Sequence, residues 1–97
     1  MEQYLAHFEW DDVKAALNFE KHGVLFEDAV LTFFDRDFIR LFDEKHSDTE
    51  VRYAGIGQHP SGSVLITIYT ERNDAFRIIS SRPSNRKERK MYEESKT

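Results

Sequence analysis

Cysteine is absent from the 97 residues of this chain. That excludes a disulfide framework and any thiolate-bound zinc, and it fits a reducing compartment. No apolar run approaches the length of a membrane span, and no basic-then-apolar leader opens the sequence, so a soluble, cytoplasmic domain without membrane attachment is expected. Proline and glycine are sparse, at two and four residues, and internal repeats and low-complexity stretches are lacking. Basic residues are scarce in one half only. Residues 1–50 carry thirteen acids and five bases, whereas residues 51–97 carry five acids and nine bases. The overall charge of −4 argues against a nucleic-acid partner, but a division into −8 and +4 halves points to a cationic face with a purpose. In the basic half arginine outnumbers lysine six to three, and guanidinium forks match phosphate geometry better than ammonium groups do. The plain alternative is that these charges are solvated strand edges and a solvated helix face.

What the chain does contain is sufficient for one core. It is 39 % hydrophobic and includes eight Phe, four Tyr and one Trp, so residues 1–97 are expected to form a single folded domain. Residues 4–10 alternate loosely as a short strand. Asp11 or Asp12 can cap a helix running to about His22, with Val13, Ala16 and Leu17 as its apolar stripe and Gly23 as its stop. Phe26, Ala29, Val30 and Phe33 follow at i, i+3, i+4 and i+7, which predicts a second helix. Four strand-like runs cover residues 38–43, 51–58, 63–71 and 75–82. Turn signals at His59-Pro-Ser-Gly and Asn73-Asp74 make the last three an antiparallel meander. A closing helix begins at Ser84 or Asn85, with Glu88 placed to complete a capping box. Met91 and Tyr92 are its only large apolar groups, so it docks along a narrow stripe. The expected fold is α+β, a sheet with helices mostly on one face.

No phosphate-cradling glycine loop, zinc-ligand spacing or nucleophile elbow is present. His7, His22, His46 and His59 are too dispersed in sequence to propose a metal cluster. The segment from Asp43 to Arg52 is denser in useful groups: His46 as a general acid or base, Glu50 as a carboxylate and Arg52 as a phosphate clamp. Its plain reading is a polar connection in which Asp48 and Glu50 pair with nearby lysines. Arg72, Arg77 and Arg82 lie on the last hairpin. A two-residue turn at Asn73-Asp74 sets Thr70 opposite Arg77 and Leu65 opposite Arg82, on opposite sides of the sheet, and a one-residue slip exchanges the faces. Arg77 has a structural reading as well, buried against an acid of the first helices. Trp10 is most simply a core residue anchoring the first helix, with base stacking as its functional alternative.

A series of ordered blocks between Phe8 and Tyr92 resembles the BrnT toxins. They include Phe8-Glu-Trp-Asp-Asp-Val-Lys14, Asn18-Phe-Glu-Lys-His-Gly-Val24, Phe26-Glu-Asp-Ala29, His46-Ser and Glu50-Val-Arg52. Ile56-Gly57, Tyr69-Thr-Glu-Arg72, Arg77-Ile-Ile-Ser80, Arg82 and Arg86-Lys-Glu-Arg-Lys-Met-Tyr92 continue the match. The resemblance implies a RelE-like fold, an antiparallel sheet with two N-terminal helices on one face and a C-terminal helix. It also implies a type II toxin that cleaves RNA without a metal or other cofactor and inhibits translation. The implied partner is a BrnA-like ribbon-helix-helix antitoxin that neutralises the toxin and carries it to operator DNA. Two departures, Ser61-Gly-Ser63 and Arg82-Pro-Ser-Asn85, bear on substrate preference rather than fold.

Metal-free cleavage needs a base for the 2′-hydroxyl, cations for the phosphorane and an acid for the leaving oxygen. Arg52, Arg72, Arg77 and Arg82 suit the second task, and His46, Glu50 and Tyr92 are the candidates for proton transfer. Arg86, Lys87, Arg89, Lys90 and Tyr92 are expected to bind RNA. The rival reading from another class is a non-catalytic module that grips RNA or a protein.

Overall fold

The computed structural model of the chain describes residues 7–46 and 49–96. The elements in order are β1 (Phe8–Glu9), α1 (Asp12–His22), α2 (Phe26–Thr32), β2 (Ile39–Phe42), a 3₁₀ turn (Glu44–His46), β3 (Arg52–Gln58), β4 (Val64–Arg72), β5 (Ala75–Pro83) and α3 (Arg86–Ser95). They build a five-stranded sheet in the order β1-β5-β4-β3-β2. The meander is antiparallel as expected, whereas β1 joins β5 in parallel through Phe8 opposite Phe76 and Glu9 opposite Arg77. The part of the expected first strand before His7 lies outside the described residues.

Local chemistry sets the helix ends. Asp11 caps α1 by accepting the backbone N–H of Val13 at 2.8 Å and of Lys14 at 3.1 Å. Gly23 ends it in the left-handed region at φ 71°, donating its N–H to Phe19 O, a conformation that costs a Cβ-bearing residue more. At α3 the Asn85 side chain accepts the Glu88 N–H and the Glu88 carboxylate accepts the Asn85 N–H, which completes the capping box. Asn73 and Asp74 both take positive φ, at 52° and 65°, so the β4–β5 hairpin turns on two residues as its sequence allows.

Two apolar layers flank the sheet. On one face Phe26 and Val30 of α2 pack with Phe8, Tyr69 and Ile78, and Phe33, Phe38, Tyr53 and Phe76 extend the cluster. Trp10 joins it edge-on to Phe26 at 5.9 Å, the anchoring role read from its sequence. Gly57 is required here, because a Cβ on it would lie 2.6 Å from the Thr32 carbonyl oxygen. On the other face Tyr92 of α3 is buried with Ile56, Val64 and Ile66. Its hydroxyl donates to the Asp35 carboxylate, which also accepts the backbone N–H groups of Asp37 at 2.9 Å and Gln58 at 2.7 Å. Burial pushes the Asp35 carboxyl up, but the Tyr92 hydroxyl and the two amides outweigh it and hold the group below the usual aspartate range.

The orientation of α1 differs from the sequence reading. Val13 and Leu17 are 69 % and 58 % exposed, and Ala16 is exposed as well. Asn18 faces inward instead: its amide nitrogen donates to Val24 O at 3.1 Å and Ser81 O at 2.8 Å, and its oxygen accepts the Ser81 N–H at 3.0 Å. The helix therefore turns a hydrogen-bonding residue onto the strand edge beyond the two-residue β1. There the backbone polar groups of Ser81 would otherwise be buried without partners.

Candidate active site

A bulge in β5 decides which cations share a surface. Thr70 pairs with Arg77 and Tyr69 with Ile78, but Ile68 pairs with Ser80, so Ile79 is left without an opposite residue. One extra residue exchanges the faces of everything beyond it. Arg82 therefore stands opposite Ile66 rather than Leu65, so of the arrangements the sequence left open the fold takes the one in which Arg77 and Arg82 share a side. Across the meander Arg52 also pairs with Thr70, and Arg72 lies two positions along β4. All four arginines project from one side of the sheet, with Arg52, Thr70 and Arg77 forming a row across three strands.

That side is the one α3 covers only in part. Tyr92 fills the Ile56–Ile66 end. Between there and the arginine row lies an open cleft of about 470 Å³, with Ala54, Ile66, Ile68 and Ser80 in its floor and Arg52 and Arg82 at its sides. Carboxylates from three separate segments hold the arginines. Arg82 pairs with both Glu88 oxygens at 2.9 and 2.8 Å. Arg77 meets Glu9 at 3.3 Å, and Arg72 meets Glu50 at 3.0 Å. The Glu88 bonds push the Arg82 guanidinium further toward its charged form, and the same contact, against the effect of burial, lowers the Glu88 carboxyl below its ordinary range. Arg77 is half-buried and its pair reaches a strand, not the first helices.

The remaining candidates separate into distinct places. Glu50 stands beside Arg72 instead of a lysine. His46 ends the 3₁₀ turn on the same side of β3 in sequence, and its side chain, like Asp48, lies outside the described residues. Arg86, Lys87, Arg89 and Lys90 are exposed along α3, next to the cleft in chain order through Arg82. Tyr92 is a correction: it is 1 % exposed, and burial together with the Asp35 carboxylate pushes its phenol above the ordinary tyrosine range. It docks the helix and offers RNA neither a surface nor an available proton.

One cluster escaped the sequence reading. His59 joins Asp28 through Nε2 at 3.0 Å and Ser61 Oγ through Nδ1 at 2.9 Å. Nδ1 also accepts the Ser61 N–H at 3.0 Å, so Nε2 carries the proton donated to Asp28. The ring staples the β3–β4 hairpin to α2, a contact between residues 31 positions apart. Among the described residues, no three His, Asp or Glu side chains converge as metal ligands, and no helix is long and apolar enough to cross a membrane.

Comparison with known proteins identifies the fold and the family. The crystal structure of the ribonuclease toxin BrnT of Brucella abortus matches with a TM-score of 0.65 at 27 % identity, covering 81 % of this chain and 96 % of that one. No curated protein matches the chain. The family described as the ribonuclease toxin BrnT of type II toxin–antitoxin systems matches residues 10–88. The chain accordingly belongs to the BrnT family of ribonuclease toxins.

Proposed function

We propose that the protein is a metal-independent, RelE-like endoribonuclease, that residues 1–97 act as one cytoplasmic toxin domain, and that RNA is cut on the four-arginine face of the sheet. The observation carrying this reading is the β5 bulge, which sets Arg52, Arg72, Arg77 and Arg82 on one side around an open cleft. Phosphoryl transfer without a metal depends on cations fixed where charge develops. Ion pairs with Glu9, Glu50 and Glu88 fix three of these guanidinium groups before substrate arrives. Arg52 and Arg82 flank the scissile phosphate in the cleft, and Arg72 and Arg77 hold the neighbouring phosphate at its rim. His46 and Glu50 are the groups placed near enough in sequence to Arg52 to move protons. Arg86, Lys87, Arg89 and Lys90 extend the cationic track along α3 for the RNA backbone.

A BrnA-like ribbon-helix-helix antitoxin neutralises the toxin and takes it to operator DNA, so that the pair represses its own operon and translation is spared. The test is cleavage of free RNA by the purified chain in excess chelator. Cleavage at an undiminished rate supports the reading. Loss of cleavage restored by a divalent ion overturns the metal-free mechanism, and RNA binding without cleavage overturns the enzymatic one.

A further inference from the structure

The exposed side of α1 is unusual for a solvent-facing helix surface. Val13 and Leu17, one turn apart, are 69 % and 58 % exposed, whereas a surface helix ordinarily turns such residues inward. Beside Leu17 a second, smaller cleft of about 220 Å³ runs between α1 and β5, and the charged side chains lining it are Lys14 and Lys21. Ile79 and Ser80 at the β5 bulge line this cleft and the arginine cleft alike. The two depressions therefore share these two residues of β5, and each has both apolar and basic side chains in its lining, with Asp43 also in that of the arginine cleft.

Resting on the toxin reading above, we infer that the α1 groove is the anchoring site of the antitoxin, which lays an acidic segment with apolar side chains against Leu17 and Val13. From there the segment crosses the bulge at Ile79–Ser80 and reaches Arg52 and Arg82, so the same stretch that anchors the antitoxin occludes the RNA face. Lysines select acidic side chains, and burial of the apolar pair supplies the affinity that charge alone does not. RNA is a poorer occupant, because phosphate has no use for exposed Val13 and Leu17. A second copy is poorer too: a two-fold contact would press the same patch against itself and set Lys14 and Lys21 against their own counterparts.

The test is Leu17→Glu in the full chain, with a Lys14→Glu, Lys21→Glu double variant beside it. The binding probe is the antitoxin protein encoded with this toxin, titrated calorimetrically, and RNA cleavage is followed in parallel. Both variants are checked for a cooperative melt, which exposed positions should preserve. Leu17→Glu should weaken the antitoxin roughly tenfold or more while its own cleavage rate stays at the wild-type level. The double variant should lose more affinity at low salt than at high salt. Hydrogen exchange in the wild-type complex should slow at residues 13–21 and 79–80. An antitoxin that binds and silences Leu17→Glu as it does the wild type overturns the inference. So does a variant that only dissociates a dimer of this chain, or only weakens RNA, with antitoxin affinity unchanged. Calorimetry does not depend on turnover, so a wild-type chain that binds its antitoxin but cuts no RNA would refute the enzymatic reading and leave this one standing.

Discussion

Glu88 grips Arg82 through both terminal nitrogens, at 2.9 and 2.8 Å, while one of the same carboxylate oxygens closes the cap of α3 by accepting the Asn85 N–H at 2.9 Å. A single side chain therefore fixes a cation at the wall of the cleft and the start of the helix that covers the next part of the sheet. Planar two-point contacts of this kind set direction as well as distance. Glu88→Gln keeps one acceptor oxygen, and Glu88→Ala keeps none. Cleavage should fall by roughly tenfold in Glu88→Ala and less in Glu88→Gln, as a drop in kcat with KM little changed, since orientation of the cation matters most as charge develops. The cap loss should cost about 1 kcal/mol in thermal or urea unfolding. Equal kcat in all three proteins would show that Arg82 needs no positioning.

Acid should loosen α3 before it unfolds the sheet. The Asp35 carboxyl is held below its ordinary value of 3.8 in the fold. Its contribution is therefore complete above that value and is lost as pH falls through the lower folded one. The Tyr92 phenol is raised above its ordinary value of 10, so its part is complete below that pH and disappears only under strongly alkaline conditions. Tyr92→Phe should cost roughly 2 kcal/mol at neutral pH, the scale for a hydrogen bond to a charged group. The difference from wild type should shrink in acid, where Asp35 is protonated in both proteins. A difference independent of pH would mean the loss is one of packing.

Asn18→Ala removes three bonds at once, to Val24 O and to both backbone groups of Ser81. The strand edge then carries an orphaned donor and acceptor in a site only 7 % exposed. The expected cost is roughly 2–4 kcal/mol, measured as a lowered urea midpoint with an unchanged m-value. Val13→Ala, at an exposed position, should stay within about 0.5 kcal/mol of wild type.

Much of the frame was legible in the sequence because its signals are local. Asp11 and Gly23 bound α1, Asn85 and Glu88 open α3, and Asn73-Asp74 permits the tight turn, each within a few residues of the backbone groups it serves. The inward face of α1 was not legible. Val13, Ala16 and Leu17 have the spacing of a core stripe, but Asn18 prevails because Ser81, 63 residues away, needs its amide. The arginine face was hidden for a similar reason. The bulge at Ile79 arises from pairing across β4 and inverts a face that alternation alone would assign the other way. Two of the three carboxylates that hold the arginines also lie 22 and 68 residues from their partners.

The arginine face makes the most exposed prediction. Arg52→Ala, Arg72→Ala, Arg77→Ala and Arg82→Ala should each slow RNA cleavage, on the order of a hundred- to thousand-fold for a cation placed on the transferring phosphate. The two that line the cleft, Arg52 and Arg82, should lose most. Arg72 and Arg77 are partly solvated in their pairs, with side chains 47 % and 29 % exposed. Their removal should therefore cost only about 0–1 kcal/mol of stability. Lys87→Ala and Lys90→Ala, on the open side of α3, should leave kcat nearly unchanged and reduce the salt dependence of RNA binding by about one unit of slope each. Thermal melts and single-turnover cleavage on the same preparations separate these outcomes. An Arg77→Ala chain without a cooperative melt assigns that residue to the scaffold. Wild-type cleavage in all four folded variants removes the sheet face from the mechanism.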